Sequence, residues 1–225
     1  MFIHFFIFAA LYTLPFFLGH YLFPALSIEG LDFPIERWLI WVIPPLILIK
    51  IFEKELYISL KNMFTHKVKL KTFLWCFLPV LFYLVCGIIS AKHGIVWSVN
   101  PLREFSSIKD FSFAFAENSW YALVTPAIPE EMVFRAWILN AFLGNAPTKK
   151  YKIIAIILSN ILFVAIHLPV YIFVYKYSLF QTLASFVAIF VIGSIFSIMF
   201  LKSKNIILPI FIHCLWNTFA FTFFS

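Results

Sequence analysis

Charge is scarce in this sequence. Charged side chains make up 12 % of the 225 residues and hydrophobic ones 63 %, whereas an ordinary soluble domain is about a quarter charged and roughly half apolar. A core of this size cannot bury that surplus, so a soluble globular protein is excluded and an integral membrane protein is expected. One membrane domain over residues 1–225 is the simplest organisation. Cysteine is also scarce. Cys76, Cys86 and Cys214 all lie inside apolar runs. Their odd number and the lack of CxxC spacing exclude a disulfide framework or a zinc knuckle. There is no internal repeat and no low-complexity segment. The opening "MFIHFFIFAALYTLPFFLGHYLF" lacks a basic n-region and a clear small-residue cleavage site, so it reads as a retained helix rather than a signal peptide. HExxH, GxSxG and GxGD are absent as well, which removes the common zinc, serine and presenilin-type protease signatures.

What is present is a series of apolar runs. A membrane span takes roughly 20 apolar residues. Candidate spans are Phe2–Phe23, Trp38–Phe52 (broken by Pro44 and Pro45), Thr72–Ser90, Trp120–Leu143 (kinked at Pro126 and Pro129), Ile153–Tyr175 (divided by Pro169), Leu179–Leu201 and Ile206–Phe224. The reading is an all-α polytopic bundle of seven or eight transmembrane helices. The net charge of +7 could suggest nucleic acid. The lysines lie in short stretches between apolar runs, so anionic lipid headgroups are the expected partner and nucleic acid is not. The stretches 50–71, 149–152 and 202–204 hold eleven lysines, against five cations (Arg37, Lys92, Arg103, Lys109 and Lys176) on the other side. By the positive-inside rule this puts the N-terminus in the cytoplasm. Within the first stretch, Leu56, Leu60 and Met63 share a helical face among lysines, which reads either as an interfacial helix or as a plain solvated loop. The polar stretch from Lys92 to Ser119 reads as a loop that either shapes an entrance or simply connects.

Three spans carry ionisable or amide groups away from their ends, where such groups are costly. Glu130, Glu131 and Arg135 lie in one, Asn160 and His167 in the next, His213 and Asn217 in the last. Glu131 and Arg135 are four apart and can pair on one face. Glu130 points about 100° away and is the carboxylate left for the imidazoles. His213 and Asn217 share a face, as do Phe163 and His167. A desolvated carboxylate beside imidazoles is a plausible general base for water. One carboxylate and two imidazoles (Glu130, His167 and His213) are equally a zinc ligand set with an open water position. Asn160 reads as interhelical glue, and Cys214 as a small buried residue.

These residues resemble a family. "EEMVFR" (Glu130 to Arg135), "FVAIH" (Phe163 to His167) and "HCLWN" (His213 to Asn217) are similar, in order and spread, to the EExxxR, FxxxH and HxxxN motifs of the CPBP intramembrane proteases, the CAAX-protease and bacteriocin-processing group. The likeness covers roughly residues 120–219, so residues 1–115 read as N-terminal helices and 116–225 as a catalytic core. Where many members have Gly after the Arg, this chain has Ala136. The resemblance implies peptide-bond hydrolysis by water in an intramembrane cavity. Glu130, His167, His213 and Asn217 match the catalytic positions, and Glu131, Arg135 and Phe163 the supporting ones. It leaves two mechanisms open: zinc held by His167, His213 and Glu130, or a metal-free route with His213 and Asn217 as an oxyanion hole. It implies a peptide or lipidated protein as substrate. The composition suggests a bacterial plasma membrane. The alternative class is a non-enzymatic membrane protein: an immunity factor, peptide binder or small transporter.

Overall fold

The computed structural model describes residues 38, 42–52, 56–92, 103–145, 147–168 and 170–223. The candidate span Phe2–Phe23 lies outside them. Helix α1 is Ile43–Phe52. Pro44 and Pro45 fall in its first turn, where a backbone N–H has no helical partner to lose.

The later elements are α2 (Leu60–Thr65), α3 (Leu70–Lys92), a continuous helical run over residues 108–143 called α4, α5 (Lys149–Ala165), α6 (Leu179–Ser203) and α7 (Ile207–Phe223). No strand occurs among the described residues. The stretch expected to be a loop up to Ser119 is helical from Ile108 onward. Ser107 caps that helix by accepting from the Asp110 N–H at 3.1 Å, which satisfies one orphan donor of the first turn. The phenylalanines that follow explain its place. Phe111 and Phe115 pack against Phe223 and Phe219 of α7.

Helix α4 is not uniformly wound. Wide π-helical turns at Leu123–Ala127 and Met132–Leu139 flank a tighter turn at Ile128–Glu131. In the wide register the Ile128 N–H reaches Leu123 O. The next donor in that register would be Pro129, which has none. Val124 O is left over, and the Trp38 indole N–H donates to it at 2.9 Å.

The expected interfacial helix is also corrected. Helix α2 is short, and Met63 is fully buried, while Leu56 and Leu60 pack against the protein core. The apolar face that the spacing offered to lipid is used inside the protein. Asn140 of α4 fixes this segment, accepting from Ile58 N–H at 3.1 Å and donating to Ile58 O at 2.7 Å.

Two helical stretches, Lys149–Ile172 and Leu179–Ser203, are long and apolar enough to cross a membrane. Only 24 % and 28 % of their apolar windows are buried inside the protein. Ile153, Ile157 and Ile161 on the first, and Phe180, Leu183 and Val187 on the second, face outward. Contiguous apolar surface on this scale is unfavourable in water and suits hydrocarbon. Leu70–Cys86 and Ile207–Phe223 are apolar but shorter. Among the described residues, the seven or eight expected spans are thus represented by two full-length helices and two shorter apolar ones.

Two apolar cores organise the interior. One gathers Phe134, Trp137 and Leu139 of α4 with Ile49 of α1, Met63 of α2 and Phe163 of α5. The other gathers Val80 of α3, Phe196 and Met199 of α6 and Ile212 of α7. The charged residues of α4 lie between them.

Candidate active site

The site begins with an arginine that water cannot reach. Arg135 has no exposed surface, and neither has Glu131. Arg135 Nη1 lies 3.2 Å from Glu131 Oε1 one turn earlier, and Nη2 donates to Gly193 O of α6 at 2.9 Å. Its Nε and Nη1 make no hydrogen bond of good geometry. The cation rests instead between two rings, 4.6 Å from the Phe163 centroid and 5.6 Å from that of Phe196. A desolvated guanidinium gains appreciably from such faces.

Gly193 makes this approach possible. A Cβ there would stand 2.6 Å from Asn160 Oδ1 and 3.1 Å from Arg135 Nη2. The sequence reading missed this glycine. A small residue among large ones in the middle of an apolar helix was the available cue. Asn160 does join helices: its Nδ2 donates to Ser194 Oγ at 3.2 Å and lies 3.4 Å from Ser197 Oγ, both on α6. Cys214 is half-buried, with its thiol 3.6 Å from Ser119 O.

His213 of α7 brings the two acids together. Its Nδ1 is 2.8 Å from Glu131 Oε1, and its Nε2 is 3.8 Å from Glu130 Oε2. Glu130 and His213 are 5 % and 4 % exposed. The expectation gave Glu131 to Arg135 alone and Glu130 alone to the imidazoles. The ring instead sits between the adjacent carboxylates, which reach it from two sides. A carboxylate paired with a guanidinium only accepts, so His213 Nδ1 is the donor. Nε2 then faces Glu130 at a distance too long for a direct hydrogen bond. Phe196 stacks on the ring at 5.0 Å and 29° and holds its plane.

His167 stands just beyond the end of α5. Pro169 follows it, and the helix stops at Ala165. The His167 N–H goes to Val164 O, so Phe163 O is passed over, and the imidazole Nδ1 takes it up at 2.7 Å. A carbonyl only accepts, so the neutral ring carries its proton on Nδ1 and presents Nε2 as the basic nitrogen. Phe163 links this ring to the charged cluster, edge-on to His167 at 5.0 Å and beneath Arg135. Asn217, one turn after His213, is half-buried, and its carboxamide makes no hydrogen bond to a described side chain.

Residues 113–219, just under half of the chain, match one family profile, described as Type II CAAX prenyl endopeptidase Rce1-like. Over these residues the chain is similar to the Rce1-like proteases. The stretch contains every residue of the cluster just described. The family is one of membrane-embedded proteases, in keeping with the outward apolar faces of α5 and α6. No curated protein and no solved structure matches the chain.

Metal fit can be judged from the donors of this stretch. Among the described residues, no group of three or more His, Cys, Asp and Glu side chains is disposed to hold a metal ion. His213 is clasped between two carboxylates, and His167 is turned by its bond to a backbone carbonyl. Glu130, His167 and His213 are not gathered as a ligand triad.

Proposed function

We propose that the chain is an intramembrane endopeptidase that hydrolyses a peptide bond in a membrane-associated peptide or a lipidated protein. The observation carrying this reading is His213 clasped between Glu130 and Glu131 inside a stretch similar to the Rce1-like family. Glu130 takes a proton from a water oriented by the basic Nε2 of His167. The water oxygen forms a bond to the scissile carbonyl carbon, and the carbonyl π pair moves to oxygen. Glu131 accepts from Nδ1 and orients the His213 ring; in the doubly protonated ring the Nε2–H, with the Asn217 amide, meets the oxyanion. The oxyanion pair then re-forms the carbonyl as the C–N bond breaks, and the proton held by Glu130 passes to the leaving amine. Glu130, Glu131 and Arg135 together carry one net negative charge, and protonated His213 brings the cluster to zero.

The same reading makes the protein a multi-pass component of a bacterial plasma membrane, with seven or eight spans and a cytoplasmic N-terminus. Support comes from the sorting of cations between the two ends of the bundle. The test is cleavage of a lipid-anchored reporter peptide by protein reconstituted in liposomes, with products read by mass spectrometry. Wild type yields two fragments and Glu130→Gln yields none. Full cleavage by Glu130→Gln ends the proposal.

A further inference from the structure

Lysines from separated parts of the chain meet at one end of the bundle. The loop after α6 is tied to α2 and to the residue just after it: Asn205 Nδ2 donates to His66 O at 2.7 Å and the Ile206 N–H to Met63 O at 2.6 Å. Asn140 of α4 holds Ile58, just before α2. The lysines of residues 61–71, 149–152 and 202–204 are thereby collected, while Glu104, Asp110 and Glu117 lie toward the far end, where Arg103 N–H bonds Phe223 O. At the centre of the basic end is the ring of Tyr57. Lys152 Nζ, from α5, is 5.2 Å from its centroid, and Lys204 Nζ, from the end of α6, is 6.0 Å from it. We propose that Lys152, Lys204 and Tyr57 form a binding site for the phosphate of an anionic phospholipid headgroup.

Three observations support this. Two ammonium groups lie within about 6 Å of one ring centroid, and neither makes an ion pair with a carboxylate of the described residues. Both are left to bind an anion there by charge-assisted hydrogen bonds. Helix α5 opens with Lys149, Lys150 and Lys152 and has no acid in its first turn; α3 likewise has none, with Lys71 there and Lys69 just before it. Cations at a helix N-terminus oppose the macrodipole, and the first-turn N–H groups attract anions. Two helices carry this mismatch at the same end. Finally, α5 continues from Lys152 directly into an outward apolar face at Ile153, Ile154 and Ile157. A ligand bound there has its charged part beside ammonium groups and its neighbouring part beside hydrocarbon-facing side chains. That is the anatomy of a phospholipid, not of a free ion.

The site is independent of peptide cleavage and is tested without it. Thermal unfolding of the detergent-solubilised full chain is followed with added phosphatidylglycerol, phosphatidylcholine or inorganic phosphate at equal concentration. Phosphatidylglycerol is expected to raise the midpoint by about 5 °C, with smaller shifts from the other two. The shift is expected to fall by more than half in Lys152→Gln/Lys204→Gln and to persist in Lys176→Gln at the opposite end. Equal stabilisation by phosphatidylcholine, an equal effect of phosphate alone, or an undiminished shift in the double variant overturns the proposal. If the double variant does not fold, native mass spectrometry of wild type with equimolar lipids decides. Preferential retention of phosphatidylglycerol supports the site, and equal retention overturns it.

Discussion

Glu131 serves two partners with one oxygen: Oε1 lies near both Arg135 Nη1 and His213 Nδ1. Its neighbour Glu130 lies 3.8 Å from the far nitrogen of that ring. The two glutamates should therefore fail differently. Glu130→Gln is expected to fold normally and lose cleavage by about three orders of magnitude. Glu131→Gln leaves a buried guanidinium without its counter-charge and is expected to lose about 3–5 kcal/mol of stability along with cleavage. Denaturant unfolding beside the liposome assay separates them, and equal stability of the two variants would contradict the assignment. The metal question also belongs here. Purified wild type is expected to hold much less than one zinc per chain and to keep cleaving in chelator. Stoichiometric zinc that disappears in His213→Ala would reject the protein-only route. The spacing of Glu131 and Arg135 made their pairing legible in the sequence. The approach of both acids to one imidazole was not, because it depends on how α7 lies across α4, and no local pattern encodes that crossing.

At the scale of elements, the contact between α5 and α6 depends on a missing side chain. Gly193→Ala would press a methyl against Asn160 Oδ1 and the Phe163 ring. The expected cost is about 1–3 kcal/mol, seen as a midpoint lowered by about 3–10 °C; an unchanged midpoint would show that the helices can separate freely. Ser107→Ala removes the cap of α4 and is expected to cost about 1 kcal/mol, with increased amide exchange confined to the first turns. The apolar runs gave α6 and α7 nearly to the residue, since a run ended by Ser, Lys or Asn marks its own limits. The same method missed residues 108–119. Their phenylalanines are interleaved with Lys109, Asp110 and Glu117, and only the Ser107–Asp110 spacing signalled a helix start. It also gave the wrong environment for α2. Periodicity identifies an apolar face but does not say whether protein or lipid covers it.

At the scale of the whole molecule, composition alone indicated the membrane, because the outward faces of α5 and α6 hold the apolar surplus that no interior could take. Helix number was less legible, since prolines loosen α4 without ending it in a way that hydropathy registers. Single cysteines placed at Lys150, Lys176 and Lys204 should react with an impermeant thiol reagent from one side of the membrane for the first and third, and from the other side for the second. Labelling of all three from one side would discard the two-ended arrangement. The ionic knot of α4 occupies the seam between two greasy bodies, with Phe163 drawn from one and Phe196 from the other to sandwich the same guanidinium. On the proposed function, the reaction centre is thus also the rivet of the protein. Cohesion and turnover share hardware, and neither can be tuned without the other feeling it.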